Sequence, residues 1–365
     1  MTSEVSLPRL RRSLPPSTSV FEFWPDWAFY TPVVIYWLAQ ALRHGSLTLP
    51  SAANPGITAG GLVGESKSAI LDQVSGPPRS LIAPNITLRT HPTDADHDIA
   101  AAELALAQAG LAYPLVAKPD IACNGAGVRV VANRDALAGY LAAYPRDEVL
   151  LLQQLVALPG EAGVFYVREP GASTGRITSL TLKHVPFVIG DGRSTLGELV
   201  LADPRAGGLA WMYLPHLSAR AADIVPSGER VTLVFVGNHC KGSIFENGIR
   251  FATPALEAAI EQLARAMPEF HFGRIDLRFA TPADLAAGDG LRIIEINGAG
   301  SEATHIWDPT TRLADAWRAQ FQHYGAAFRI GAANRARGYR PVGLIELFRL
   351  WRRHKRLMKS YPAHD

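Results

Sequence analysis

Two neighbouring segments of the chain alternate polar and apolar side chains, a pattern that indicates a β-strand and does not fit an α-helix. Residues 273–279 read Gly-Arg-Ile-Asp-Leu-Arg-Phe, and residues 293–298 read Ile-Ile-Glu-Ile-Asn-Gly. Because successive side chains of a strand point to opposite faces, each segment predicts a strand with one polar and one apolar face. The link at 280–290 is rich in turn-forming residues, so the strands are expected to pair antiparallel. That pairing would bring three oxygen-bearing side chains together: Asp276, Glu295 and Asn297.

The predicted polar face combines hard oxygen donors with positive charge. Mg²⁺ is held by one or two carboxylates together with substrate phosphates, so Asp276, Glu295 and Asn297 suit such an ion. Arg274 and Arg278 lie on the same strand face as Asp276 and are placed to neutralise phosphate charge. The alternative is a self-neutralising face in solvent, but one acid between two arginines leaves an unbalanced positive charge.

A lysine and two glycines mark a second candidate site. A short apolar strand ends at Lys118, and the loop after it contains Gly125 and Gly127 before a strand resumes at Val128. Lysine supplies a compact cation for a phosphate oxygen, and glycines let backbone N–H groups approach phosphates. The alternative is an ordinary hairpin whose lysine reaches to solvent, so this segment is specific only in combination with the first.

The remaining pattern mixes strands and helices with hairpin-length links, which predicts an α+β fold rather than a doubly wound sheet. Strands are expected at 115–118, 128–132, 149–153, 163–167, 177–189, 230–236, 275–279 and 291–296. Helices are expected at 66–73, 98–109, 134–143, 195–201, 254–266 and 312–322. Thr195 and Glu198 form a capping-box pattern at one helix start. There is no P-loop and no Gly-x-Gly-x-x-Gly turn.

The chain carries a formal charge of +3, but its basic residues are concentrated near one end. Nine basic residues and one acid lie between Arg335 and Lys359, a local charge of +8. The remainder is therefore acidic, which argues against nucleic-acid binding. Residues 341–359 also place apolar and basic side chains on different sides of a helix. Such a helix either contacts anionic lipid peripherally or packs on the body with its basic face in water.

Aromatic residues are concentrated near the other end. Eight of the 31 aromatic residues lie between Phe21 and Trp37. They fit either an anchor packed on the main domain or an element at a lipid interface. The apolar run at 33–42 is about half of the roughly 20 residues that cross a membrane. The first residues do not form a signal-peptide pattern. The expected location is the cytoplasm, with peripheral contact on the inner face of the membrane as an open alternative.

These motifs, in this order, resemble the ATP-grasp superfamily, and most nearly its D-alanine–D-alanine ligase branch. The resemblance covers about residues 111–325, and residues 188–199 are similar to a segment of cyanophycin-synthetase-like members. It implies two α+β lobes that clasp ATP. It also implies that Asp276, Glu295 and Asn297 hold Mg²⁺ or Mn²⁺, and that Arg274 steadies a tetrahedral intermediate.

The same resemblance assigns the nucleotide contacts. Lys118 would contact ATP phosphates beneath the flexible loop that contains Gly125 and Gly127. Residues 150–156 resemble the hinge strand that reads adenine, and Glu161 matches the ribose-binding carboxylate. The remaining assignments are Gln153, Gln154 and Val156 for adenine, Lys183 and Arg278 for phosphate, and Lys67 as a lysine that precedes the module.

The implied activity is ATP-dependent joining of a small carboxylate to an amine or a thiol through an acyl phosphate. The alternative is an ATP-binding scaffold or regulatory protein without ligase activity. Residues 1–110 lack the β–Gly-rich turn–α unit with which the family usually begins, so the substrates stay unassigned. The expected organisation is an arm with the aromatic segment at 1–50, a pre-grasp region at 51–110, an ATP-grasp domain at 111–330 and a basic amphipathic tail at 331–365. The oligomeric state is not predicted.

Overall fold

The structure is a computed structural model that describes residues 19, 21–22, 24–215, 217–234, 237 and 242–362. Four parts of the sequence discussed above lie outside these residues: the first 18 residues of the predicted arm, Phe23, Cys240 and the end of the predicted strand 230–236. Within the described part, no helix is long and apolar enough to span a membrane.

The strands, in chain order, are β1 (Asn85–Arg89), β2 (Leu115–Pro119), β3 (Arg129–Val131), β4 (Val149–Gln154), β5 (Gly160–Val167), β6 (Arg176–His184), β7 (Phe187–Ile189), β8 (Arg230–Thr232), β9 (Ile244–Asn247), β10 (Phe272–Phe279) and β11 (Arg292–Asn297). The helices are α1 (Asp26–His44), α2 (Lys67–Leu71), α3 (Ala95–Ala109), α4 (Arg134–Ala143), α5 (Leu196–Ala202), α6 (Ala210–Tyr213), α7 (Pro254–Arg265), α8 (Pro282–Ala287), α9 (Leu313–Ala336) and α10 (Leu344–Ser360).

The strands form antiparallel sheets, which confirms the predicted α+β class. A four-stranded sheet has the order β1-β4-β2-β3, a five-stranded sheet has the order β11-β10-β5-β6-β9, and β7 pairs with β8. Helices α3 and α4 share an apolar core with the first sheet. Helix α7 packs on the second sheet through Leu256, Ile260 and Leu263, whose helical spacing gives it one buried face.

The predicted hairpin is confirmed as β10 and β11. Asp276 lies opposite Glu295, and Arg274 lies opposite Asn297. The link between these strands is not only turns, because it contains the short helix α8. A capping box forms there, in which Thr281 accepts from the backbone N–H of Asp284, and the Asp284 carboxylate accepts from the backbone N–H of Thr281.

Several predicted boundaries are wrong, each for an identifiable reason. The strand expected at 177–189 is two strands, and Pro186, which has no N–H to donate, lies between them. The helix expected at 312–322 extends to Ala336 as α9. Gly331 argues against a helix in the sequence, because glycine disfavours helix interiors. In the structure only glycine fits there, because a Cβ at position 331 would lie 2.3 Å from the carbonyl oxygen of Leu49. Strands β1 and β9 were not expected.

The larger part of the aromatic segment, from Trp27 to Trp37, lies in α1, which packs on α9. The ring centroids of Tyr36 and Phe321 are 4.8 Å apart, and those of Trp37 and Phe328 are 5.0 Å apart. Phe29 is buried against Trp307, at 4.8 Å. The inner side of α1 therefore anchors it to the body, whereas its outer side, which includes Trp27 at 74% exposure, faces solvent.

Candidate active site

A cleft of about 560 Å³ is lined by residues of both large sheets. Lys118 connects them, because its Nζ donates to Gln153 Oε1 at 2.7 Å on its own sheet and to the carbonyl oxygen of Ile294 at 3.3 Å on the other. Nearly all the residues selected from the sequence line this one cleft. They are Lys67, Lys118, Gly125, Gln153, Gln154, Val156, Glu161, Lys183, Arg274, Asp276, Arg278, Glu295 and Asn297.

The floor of the cleft is a buried array of alternating charges. The Arg274 guanidinium contacts both carboxylate oxygens of Asp276, at 3.0 and 3.1 Å. Lys183 Nζ lies 3.0 Å from Asp276 Oδ1 and 3.2 Å from Glu161 Oε1. Arg278 completes the array at 2.8 Å from Glu161 Oε2. Burial by itself would raise the pKa of Asp276, but Arg274 and Lys183 outweigh it and hold that pKa at about 2.

Lys67 links Glu295 on β11 to the loop at 120–128 that contains Gly125 and Gly127, here called the glycine loop. Its Nζ lies 3.3 Å from Glu295 Oε1 and also donates to the carbonyl oxygen of Ala122. Burial favours the neutral amine, but the Glu295 and Glu65 carboxylates outweigh burial and raise the pKa of Lys67. Burial likewise opposes ionisation of Glu295, and Lys67 reverses this, so the pKa of Glu295 is lowered. Both groups are therefore charged at neutral pH.

The residues present fit a divalent cation that also binds phosphates. Asp276 and Glu295 face each other across the strand pair. Asn297 Nδ2 donates to Asp276 Oδ2 at 3.4 Å, which leaves the amide oxygen of Asn297 as a further donor to a metal. The described residues contain no cluster of three or more His, Cys, Asp or Glu that would hold a metal by itself. Mg²⁺ needs fewer protein ligands than that when phosphates supply the rest.

The glycine loop is anchored at one end. Asn124, Gly125 and Gly127 all have positive φ, at 54°, 66° and 68°. Gly127 is the one selected residue that does not line the cleft. A Cβ at Gly127 would lie 2.6 Å from Pro119 Cγ, and the Tyr140 hydroxyl donates to the Gly127 carbonyl oxygen at 2.7 Å. Gly127 therefore fixes the base of the loop, whereas Gly125 lies at the cleft.

Gln153, on β4, leaves a buried hydrogen-bond donor available at the cleft. Its side chain is 1% exposed, and Nε2 has no hydrogen-bond partner among the described residues. A lysine ammonium can only donate, so the amide atom of Gln153 that contacts Lys118 is the acceptor Oε1. The atom without a partner in the described part of the chain is therefore the donor Nε2. Burial lowers the pKa of Lys118 to about 8. A carboxylate at position 153 would raise the pKa of Lys118 again through its negative charge, whereas the neutral amide of Gln153 does not.

Sequence reasoning missed several residues of the cleft. Glu65 has a buried Oε2 without a hydrogen-bond partner in the described part, and burial raises its pKa to about 7. His354 reaches the cleft from α10. The only signal for Glu65 was its position two residues before Lys67. Nothing in the sequence indicated that His354, 231 positions after Cys123, would lie next to it.

The far end of the cleft is aromatic. The Glu302 carboxylate accepts from Tyr30 Oη at 2.8 Å, from Trp307 Nε1 at 2.7 Å and from Gln320 Nε2. Trp24 and Phe245 also line this end. Arg274 joins it to the charged floor, because its Nη1 donates to the carbonyl oxygen of Glu302 at 3.3 Å. The cleft thus runs from the glycine loop, past the charged array, to an aromatic end.

Solved structures similar to this chain include synthetases and ligases. One is a bifunctional glutathione synthetase from Pasteurella multocida, at 16% identity and a TM-score of 0.34, with 70% of this chain and 36% of that chain covered. Another is a D-Ala:D-Ser ligase from Enterococcus faecalis, at 14% identity, a TM-score of 0.40 and coverage of 73% and 64%. A third is a D-alanine–D-alanine ligase from Bacillus anthracis, at 13% identity, a TM-score of 0.43 and coverage of 78% and 72%.

The chain spans about a third of the first of these proteins and less than two thirds of the second. No protein-family model and no curated protein sequence matches the chain. The TM-scores of these three likenesses are all below 0.5, so nothing about this chain's site is argued from them. The chemistry of the cleft follows from this chain's own residues.

Proposed function

We propose that this protein is an ATP-dependent carboxylate–amine ligase that forms an amide bond through an acyl phosphate. The observation that carries the proposal is the buried array of Lys183, Asp276 and Arg274 beside Glu295 and Lys67, in one cleft with a glycine loop. Taking charged groups out of water is costly even when they are paired, and clusters of buried charge with shifted pKa values are typical of functional sites. The cleft offers four cations to the phosphates of ATP, Lys67, Lys118, Lys183 and Arg278, and places Arg274 next to them.

The reaction needs no covalent enzyme nucleophile. A substrate carboxylate oxygen attacks the terminal phosphorus of ATP, and the bond to the bridging oxygen breaks to release ADP. The amine nitrogen then attacks the acyl carbon, phosphate leaves with the electron pair of its bond, and the nitrogen loses a proton. Lys118, Lys183 and Arg278 hold phosphate oxygens, and Arg274 stabilises the negative oxygen of the tetrahedral intermediate.

Asp276, Glu295 and Asn297 would hold Mg²⁺ or Mn²⁺, which supplies charge neutralisation between the phosphates when bound. Gln154 and Val156 are proposed to present backbone groups to adenine, and Glu161 to accept from ribose hydroxyls. The aromatic end lies beyond Arg274 and away from the glycine loop, so it is the proposed place for the substrates. Small-molecule substrates and a cytoplasmic location belong to the same proposal.

The test is a screen of amino acids and short peptides for ADP and phosphate formation with Mg·ATP. Ligation predicts phosphate release that depends on a particular amine and a matching amide product. If no amine or thiol stimulates ADP formation although Mg·ATP binds, the chain is an ATP-binding scaffold instead.

Two variants separate binding from chemistry. Arg274→Ala is expected to bind Mg·ATP within about threefold of wild type but to lose at least about a hundredfold in amide formation, as for other lost oxyanion contacts. Lys118→Ala is expected to weaken Mg·ATP binding directly. An equal loss of ATP affinity in both variants would contradict these roles.

A further inference from the structure

Helix α10 has an inner face that packs on the cleft. Leu357 is 3% exposed, and Leu350 lies under Gly64. His354 Nε2 lies 3.4 Å from Cys123 Sγ in the glycine loop. Just beyond the helix, Tyr361 Oη donates to the carbonyl oxygen of Ile121 at 2.8 Å. This face explains how the helix is held on the body.

The outer face of α10 carries large apolar side chains in solvent. Leu344, Ile345, Phe348 and Trp351 are 60%, 72%, 55% and 45% exposed. Their spacing places them on one side of the helix, and the rings of Phe348 and Trp351 stack at 5.7 Å. A charged helix face in water, the simpler of the two sequence-based interpretations, does not account for four large apolar side chains exposed together.

Basic side chains continue along the same outer side, whereas the sequence pattern predicted them on a different side of the helix from the apolar residues. Within the described residues, none of the following exposed side chains forms an ion pair: Arg349, Arg352, Lys355, Arg356 and Lys359. The helix as a whole has six Arg or Lys residues and one acid, Glu346, a net charge of +5. A second copy docked on this face would bring the same positive charge against it. The face therefore favours an anionic partner that also accepts apolar side chains.

We propose that the outer face of α10 docks on the surface of an anionic lipid bilayer. Basic side chains would lie among the headgroups, and Leu344, Ile345, Phe348 and Trp351 would insert at the acyl boundary. Because His354 lines the cleft from the opposite side of the same helix, docking would bring the cleft within roughly one helix diameter, about 10 Å, of the headgroups. The docking itself does not depend on the ligase reaction.

The test is co-sedimentation of the full chain with vesicles of phosphatidylcholine alone or mixed equally with phosphatidylglycerol. The full chain is expected to pellet with the anionic vesicles at low salt, to stay in solution with phosphatidylcholine alone, and to be released as salt screens the charges. The double variant Arg352→Gln/Lys355→Gln is expected to bind roughly 25-fold more weakly, about fivefold for each charge.

A matched double variant, Arg176→Gln/Arg193→Gln, removes two exposed arginines from other parts of the surface. It is expected to bind like wild type, and Phe348→Ser/Trp351→Ser is expected to lose binding while its melting temperature is unchanged. The proposal fails if the full chain ignores anionic vesicles at low salt, or if both charge variants lose binding equally. It also fails if sedimentation velocity shows a dimer that Phe348→Ser/Trp351→Ser dissociates.

Discussion

Burial decides the charge of Lys118, and with it the pH range in which the cleft attracts an anion. The amine is charged below its pKa of about 8 and neutral above it. If Lys118 holds a phosphate, the affinity for Mg·ATP should be constant below pH 8 and fall by about tenfold per pH unit above it, as for one linked proton. Calorimetric titrations between neutral and alkaline pH measure this.

Lys118→Arg provides the comparison, because a guanidinium stays charged throughout that range. Its affinity for Mg·ATP should not depend on pH, whereas Lys359→Arg on exposed α10 should keep the wild-type profile. A wild-type affinity that is flat well above pH 8 would remove Lys118 from the phosphate contact.

Asp276 is needed for stability as well as for the proposed chemistry. It is the counter-charge for buried Lys183 and for Arg274. Asp276→Asn should therefore lower the free energy of unfolding by roughly 3–5 kcal/mol, the usual cost of leaving buried charge unpaired. Urea denaturation measures this. The exposed Asp96→Asn should stay within about 0.5 kcal/mol of wild type.

A cost below 1 kcal/mol for Asp276→Asn would mean that the array is not coupled as the distances indicate. A substitution at Asp276 changes both the stability of the fold and the proposed metal site, so its effect on metal binding cannot be read separately. Glu295→Gln is therefore the better probe of metal binding. Lys67 keeps its contact with the Ala122 carbonyl oxygen in that variant.

At the scale of elements, α1 has a packed face and an exposed face, and substitutions at the neighbouring residues Trp37 and Leu38 test them separately. Trp37 packs on Tyr324 and Phe328, and its Nε1 donates to the carbonyl oxygen of Leu47 at 3.1 Å. Leu38 is 48% exposed. Trp37→Ala should cost roughly 2–4 kcal/mol of unfolding free energy, and Leu38→Ala less than about 0.5 kcal/mol. Equal losses in thermal or urea denaturation would contradict the orientation of the helix.

An ion pair ties the end of α9 to the residues before β10. The Arg337 guanidinium contacts both oxygens of Glu269, at 2.7 and 2.8 Å. Arg337 outweighs burial and, with His271, lowers the pKa of Glu269 from 4.5 to about 2. The folded-state pKa is depressed, so this stabilisation is present above pH 4.5 and is lost as pH falls towards 2.

Arg337→Gln should therefore lower the free energy of unfolding by about 0.5–1 kcal/mol at neutral pH, as for a well-oriented surface pair. The difference from wild type should vanish near pH 2. Arg340→Gln, at an exposed position beyond α9, is the matched control and should show no such pH dependence. Denaturation at several pH values measures both.

At the scale of the whole molecule, α10 and Tyr361 just beyond it contact the glycine loop, although Cys123 in that loop stays exposed. The contacts of His354 with Cys123 and of Tyr361 with Ile121 predict that α10 limits access to the loop. In a Cys240→Ser background, a chain ending at Gly338 should react several-fold faster with a thiol reagent at Cys123. Tyr361→Ala in the full chain should have a smaller effect in the same direction. Equal rates in all three chains would show that α10 leaves the loop open.

The sequence alone determined the hairpin of β10 and β11 and the polar set on it, because strand alternation is a local rule that survives folding. It also predicted that Lys118 and Gly125 would belong with that set, and both line the same cleft. Gly127 was selected by the same pattern but supports the loop from behind, since the pattern carries no information on which side of a loop a ligand lies.

Only the tertiary structure decided what surrounds this set. Glu65, Tyr30 and Glu302 reach the cleft because α1 and the loops near positions 60 and 300 pack together, with Gly300 N donating to the Gly61 carbonyl oxygen at 2.6 Å. His354 reaches it only because α10 folds back across the glycine loop. Contacts between residues hundreds of positions apart leave no local periodic pattern in the sequence from which they could be predicted. They follow from the burial of apolar surface by the whole chain, which also shifted the pKa of Lys118.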